Sequence, residues 1–258
     1  MRAFTVVFAN IITMLVLISS SVGFLDMDHL ILYWDCRANK ENKLVDISGN
    51  GWDAVIKAGK SEWVEGKFEG GIRLQQAYAQ VDGNIIKSIE ETGEITLMLW
   101  FRMNQHADFD GLISIKPPKG DCCPYRLMLN SNSNPFWSAG NPVDKSLPSF
   151  AFELNRWYSY ALSADKDSTR IYVDSKLIGE QAENFKLPVF KEVTVYLGTG
   201  ENPGTHPVED ATFDEVMIWD KALDEIEIEN RAWHSGFTQV VEPEGMLTTT
   251  WGSIRTRY

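Results

Sequence analysis

The chain has few of the residues that build disulfide scaffolds or metal-dependent active sites. Three cysteines and four histidines in 258 residues are too few and too scattered for a stapled miniature domain. No Cys-x-x-Cys spacing with a nearby histidine offers a zinc centre. Basic residues are also scarce: 24 Lys and Arg against 36 Asp and Glu leave a net charge of −12. Nucleic acids and acidic membranes need a positive surface, so neither is expected as a partner. The sequence contains no Gly-x-Ser-x-Gly elbow and no phosphate-cradling glycine loop. Beyond Val22 there is no second long apolar run, so no membrane span is expected in the mature chain.

The first residues point to export. Arg2 is the only charge before Asp26, Thr5 to Val22 is almost continuously apolar, and Ser21-Val22-Gly23 offers small residues before Phe24. Residues 1–23 therefore read as a secretory signal peptide, with an uncleaved anchor as the alternative. The mature protein is expected to be secreted, extracellular or periplasmic, with no membrane attachment after cleavage. In an oxidising compartment Cys36 could bridge to Cys122 or its neighbour Cys123 and close a long loop. Three free thiols are the other possibility.

After the signal segment, short strands alternate with turn clusters. Ile95 to Met103 places Ile95, Leu97, Leu99, Phe101 and Met103 on one face and Thr96, Met98, Trp100 and Arg102 on the other. Gly111 to Lys116, Trp157 to Ser163, Arg170 to Val173, Val193 to Leu197 and Phe213 to Trp219 read the same way. Asp165 to Ser168 and Asp174-Ser175 are turns between strands. Only Ala222 to Trp233 has a helical period, with Asp224 as its N-cap. The pattern predicts an all-β, two-sheet antiparallel jelly-roll sandwich with a short C-terminal helix. The domain is expected over 24–236, followed by a C-terminal tail over 237–258.

Several pieces in this order resemble the laminin-G-like, concanavalin-A-like lectin and glucanase family. They are Tyr33-Trp34-Asp35, then Asp46-Ile47-Ser48-Gly49-Asn50-Gly51, and the Gly66-Lys67-Phe68-Glu69-Gly70 segment. Leu99-Trp100-Phe101, Arg156-Trp157-Tyr158 and Ile171-Tyr172-Val173-Asp174 follow, with Ser175 where the family has glycine. Phe213-Asp214-Glu215-Val216 and Ala222-Leu223 close the series. The stretch from Ser114 to Phe152 has no clear counterpart.

Asp214 shares its strand side with Val216 and Ile218, and a carboxylate on apolar surface needs a partner. The glycine-bounded loop from Asp46 to Gly51 is rich in oxygen donors. The resemblance implies a structural calcium between that loop and the closing strand. Asp46, Asn50 and Asp214 would ligate it by side chain and Gly49 by its carbonyl. Alternatively, Asp46 caps a turn and Asp214 accepts backbone N–H bonds. Trp137 follows the polar loop that ends in Asn134 and Pro135, so Trp137 and Asn134 are candidates for stacking on a sugar and bonding its hydroxyls. The other reading folds Trp137 back onto the sandwich. Trp100, Trp157 and Trp219 are expected in the core.

Relatives of this fold include glycan-cleaving enzymes, which use paired carboxylates. Glu225-x-Glu227-x-Glu229 has the acidic rhythm but falls on the predicted helix, where residues two apart diverge. His106 with Asp108 and Asp110 reads as a hairpin turn. The expected function is a non-catalytic recognition module for a glycan or an extracellular protein. A structural or interaction domain of a surface assembly comes second, and a glycan-active hydrolase or lyase third.

Overall fold

Alternation with a period of two becomes sixteen strands among the described residues. In a computed structural model describing residues 29–39, 41–119, 124–140, 144–182 and 187–233, the first eight are β1 (Leu30–Trp34), β2 (Lys43–Leu44), β3 (Ala54–Lys57), β4 (Lys60–Glu65), β5 (Gly70–Gln75), β6 (Tyr78–Gly83), β7 (Ile95–Gln105) and β8 (Asp110–Lys116). The rest are β9 (Tyr125–Leu129), β10 (Pro135–Ala139), β11 (Lys145–Ser146), β12 (Trp157–Ala164), β13 (Ser168–Val173), β14 (Lys176–Ala182), β15 (Val193–Leu197) and β16 (Asp210–Trp219). Helix α1 (Ile89–Thr92) is a single turn and α2 (Glu225–Trp233) follows the last strand. The signal segment 1–23, the tail 237–258 and Cys122 lie outside the described residues.

The strands form two antiparallel sheets, as expected of the sandwich. One runs β14-β13-β12-β7-β16-β5-β4, with β1 also on β16; the other runs β11-β10-β9-β8-β15-β6-β3-β2. The two faces of β7 separate as the alternation predicts. Leu97, Leu99, Phe101 and Met103 enter the core between the sheets, while Met98 and Trp100 lie beneath α2 on the outer face of the first sheet.

Helix α2 begins with a reciprocal cap: the Glu227 amide donates to Asp224 Oδ1 at 2.8 Å and the Asp224 amide donates to Glu227 Oε2 at 3.2 Å. Its Ile228 and Ala232 are buried, and Trp100 Nε1 donates to the Ala232 carbonyl at 2.9 Å. The acidic run Glu225 to Glu229 is therefore helical surface over a hydrophobic seam.

Strand β16 is the keystone of the first sheet. Along one edge it pairs with β7; along the other, Ala211 to Phe213 pair with β5 and Val216 to Trp219 pair with β1. The change of partner coincides with a register break between Asp214 and Met217, where Glu215 adopts φ 51°. Such a bulge inserts one residue and reverses the face of everything beyond it. This corrects the sequence reading of the strand. Phe213, Val216 and Ile218 face the core, whereas Asp214, opposite Trp100, shares the outer side with Met217 and Trp219. Strict alternation had placed Asp214 with Val216 and Ile218.

Between β13 and β14 the turn has only two residues, with Val173 directly opposite Lys176. Asp174 and Ser175 take φ 49° and 65°, the left-handed pair that matches strand twist and favours glycine. Ser175→Gly should gain about 0.5–1 kcal/mol by removing left-handed strain, net of glycine's entropy cost. Urea denaturation measures it, and a lower midpoint would contradict this account of the turn.

Candidate functional site

The bulge in β16 turns two acids into a buried cluster. Asp214 is 1% exposed and Glu215 is 3% exposed. Asp214 Oδ2 accepts the amides of Lys67 (2.9 Å) and Phe68 (3.1 Å), pinning the loop from β4 to β5. That loop can close because residue 66 is glycine: a Cβ there would collide with the Gly70 carbonyl and lie 2.6 Å from Asp214 Oδ2. Glu215 accepts the Tyr33 hydroxyl from β1. Burial, only partly offset by amide bonds, pushes Asp214 up to about 7. Burial also pushes Glu215 to about 8, with the Asp214 and Asp35 charges adding to it. Burial and the same acids push the Cys36 thiol upward, so it stays protonated and inert. Cys36 is a free, buried thiol, and Cys122, its expected partner, lies outside the described residues.

The calcium donors inferred from the sequence do not fit an ion as arranged. Asp46 Oδ1 accepts the amides of Tyr33 and Ser48, both at 3.0 Å, and Oδ2 accepts the Ser48 hydroxyl and the Trp52 amide, both at 2.9 Å. Asn50 turns its amide nitrogen to the carbonyls of Leu30 (3.0 Å) and Ile31 (2.9 Å). Gly49 sits at φ 90°, a conformation its turn needs. The Asp35 charge bears on both Asp214 and Glu215. Among the described residues no three His, Cys, Asp or Glu side chains are grouped to hold a metal. The alternative anticipated above, with Asp46 capping its turn and Asp214 taking backbone N–H bonds, describes what these carboxylates do.

The proposed sugar-contacting pair is also corrected. Trp137 is 5% exposed and its strand, β10, points it into the core. Asn134 is buried, and its Nδ2 donates to the Phe150 carbonyl at 2.6 Å. The reason is that Pro135 opens a strand rather than extending a loop, and β10 pairs with β9 along its whole length.

A different tryptophan faces solvent. The outer face of the first sheet carries a shallow pocket of about 310 Å³ lined by Val64, Glu65, Gly66, Arg102 and Trp157. Trp157 and Arg102 are directly opposite on β12 and β7, and the guanidinium carbon lies 5.2 Å from the indole centroid. Helix α2 covers this face as far as Trp100. Trp157, one same-face pair further along, is left half-buried instead of in the core. Beside the pocket, Asp210 accepts Arg73 Nε (2.8 Å) and Nη2 (2.5 Å), Gln75 Nε2 (2.9 Å) and Asn104 Nδ2 (2.8 Å). The Arg73 guanidinium holds the Asp210 carboxyl below its usual range.

Two packed antiparallel sheets with a capping helix and a polar pocket on one outer face define a lectin-like β-sandwich. The chain belongs to the concanavalin A-like lectin/glucanase superfamily, whose family model matches residues 75–229. That span begins at the end of β5, so β1 and the loops holding Asp46 and Gly66 lie before it. No curated protein sequence matches the chain.

Among solved structures, Trypanosoma rangeli sialidase aligns with TM-score 0.61 at 16% identity, over 79% of this chain and 32% of the sialidase. The chain thus spans about a third of that protein. The binding domain of botulinum neurotoxin serotype D/C aligns with TM-score 0.58 at 18% identity, over 79% of this chain and 51% of that one. Domain 4 of AbnA, an extracellular GH43 arabinanase from Geobacillus stearothermophilus solved with arabinotriose, aligns with TM-score 0.61 at 15% identity. The alignment covers 79% of this chain and 98% of the arabinanase domain. At these identities the likeness is one of fold.

The buried acids make the stability depend on pH in a defined direction. Their folded-state values lie above the roughly 4 of an unfolded carboxyl. The stability they allow is therefore complete below that range and is lost as pH rises through about 7 for Asp214 and about 8 for Glu215. Asp214→Asn keeps an acceptor for the two amides and removes one titration. Wild type should lose several degrees of Tm relative to this variant between about pH 5 and about pH 8; parallel curves would refute the raised value. Melting in EDTA and in millimolar calcium should coincide. A calcium-dependent rise abolished by Asp214→Asn would show that a cation rearranges this corner.

Proposed function

We propose that the domain is an exported, non-catalytic recognition module that binds a glycan through the pocket beside Trp157. The observation that carries this reading is the half-buried indole facing open space next to unburied polar side chains. Sugar sites need such a combination: an aromatic surface for C–H faces and a few polar groups to fix orientation. The arabinanase domain crystallised with arabinotriose supports a sugar ligand for a sandwich of this size.

The buried acids support the non-catalytic part. Raised carboxyl pKa values in a cleft suggest acid–base chemistry. Here, however, Asp214 is bonded to two loop amides and Glu215 to Tyr33, and both are sealed from solvent. A retaining glycosidase needs two carboxyls about 5 Å apart flanking an accessible bond. Export rests on the apolar, weakly basic segment before Phe24, and the secreted form should begin at that residue when its N-terminus is sequenced.

Screening the purified domain on a glycan array, with aryl glycosides assayed alongside, tests the reading. At least one glycan class should bind, Trp157→Leu should weaken it tenfold or more, and no aglycone should be released. Aglycone release above the buffer rate would overturn the non-catalytic assignment; a silent array would overturn the glycan assignment.

A further inference from the structure

We infer that this pocket selects a sugar carrying a carboxylate, and that Arg102 reads the charge. The inference rests on the glycan-binding reading above and adds the chemical class of the ligand.

It starts from where the cations of an acidic protein go. Arg37, Arg73, Arg126, Arg156 and Arg170 each meet a carboxylate within 4.0 Å. Arg102 meets none among the described residues, although it sits on the same sheet face as the Arg73–Asp210 pair. Its neighbour is the Trp157 ring, and its Nε is buried without a hydrogen-bond acceptor. A guanidinium cannot shed its proton, so neutralising itself is not open to it. Its terminal nitrogens meet no protein acceptor among the described residues and are not among the buried atoms, so they are the donors that an incoming anion can reach. The stack on the indole limits the side chain's freedom, so less is lost when the planar fork engages a two-oxygen acceptor.

The surroundings narrow the acceptor to a single sugar unit. A pocket of about 310 Å³ is at the low end of ligand cavities and suits one ring. Glu65 lines it and is in no ion pair among the described residues, leaving its oxygens available to sugar hydroxyls. Lys67, held over Trp100 at 4.3 Å, adds a second positive charge near the same loop. A polyanion is disfavoured, because a chain of net charge −12 repels it over the whole surface. One carboxylate on one ring feels the local field of Arg102 within a Debye length of about 8 Å.

Isothermal titration of the full domain tests this with oligosaccharides ending in glucuronate or galacturonate, their neutral parents, and a hexaglutamate peptide. The acidic sugars should bind at least tenfold more tightly than the neutral parents. Arg102→Gln should bring the acidic sugars down to the affinity of their neutral parents in a variant whose circular dichroism spectrum shows it folded, and Arg102→Lys should recover part of the preference. Equal binding of acidic and neutral sugars, unaffected by Arg102→Gln, would overturn the inference and leave the glycan reading intact. Hexaglutamate binding as tight as the acidic sugars would overturn the assignment to a sugar. No binding by any sugar would overturn both readings.

Discussion

The first sheet depends on one carboxylate placed where a strand changes partners. Asp214 stands at the bulge of β16, at the point where β5 ends as a neighbour and β1 begins. Its two amide bonds hold the Gly66–Gly70 loop against the sheet. Glu215, buried at the same bulge, ties down Tyr33 of β1. A central strand with two half-length neighbours would otherwise leave unpaired backbone at the junction, which is costly when buried. The side chains at the bulge tie the neighbouring loop and β1 to the junction, and burial of two acids is the cost.

The pocket is a consequence of the same junction. Gly66, forced by the close approach to Asp214, forms part of its lining with Val64 and Glu65. Trp157 and Arg102 supply the opposite side, one same-face pair beyond the Trp100 that α2 covers. The buried acids and the pocket proposed for recognition therefore sit next to each other without being the same thing. The perturbed acids lie behind the loop, and the groups that can touch a ligand lie in front of it. A reading based on pKa shifts alone would have taken Asp214 and Glu215 for catalytic groups; their hydrogen bonds and burial argue for a role in the fold.

Much of the architecture was legible in the sequence because alternation reports burial directly. Val193–Leu197 has the bounds read from sequence, β7 divides its faces as predicted, and the Asp224 cap is present with Glu227 as its reciprocal partner. The failures have specific physical causes. The bulge at Glu215 reversed the parity on which the placement of Asp214 rested, and a one-residue insertion leaves no mark in a hydrophobic pattern. Trp137 packs onto the sandwich, as the second reading had it, but from a strand and not a loop, because Pro135 opens β10. Trp157 was assigned to the core because its strand is apolar; the structure leaves it half-buried at the edge of the outer cluster under α2. Arg102 was placed on the correct face, but that it meets no acid partner among the described residues is a tertiary fact that no spacing reveals.

The claim that buried acids organise the fold is tested most directly by NMR titration of the side-chain carboxyl carbons of Asp214 and Glu215 in the folded domain, in EDTA. The account predicts midpoints near 7 and 8, with the amide resonances of Lys67 and Phe68 moving along with Asp214. Midpoints near 4, the ordinary carboxyl range, with both amides indifferent to pH, would contradict it.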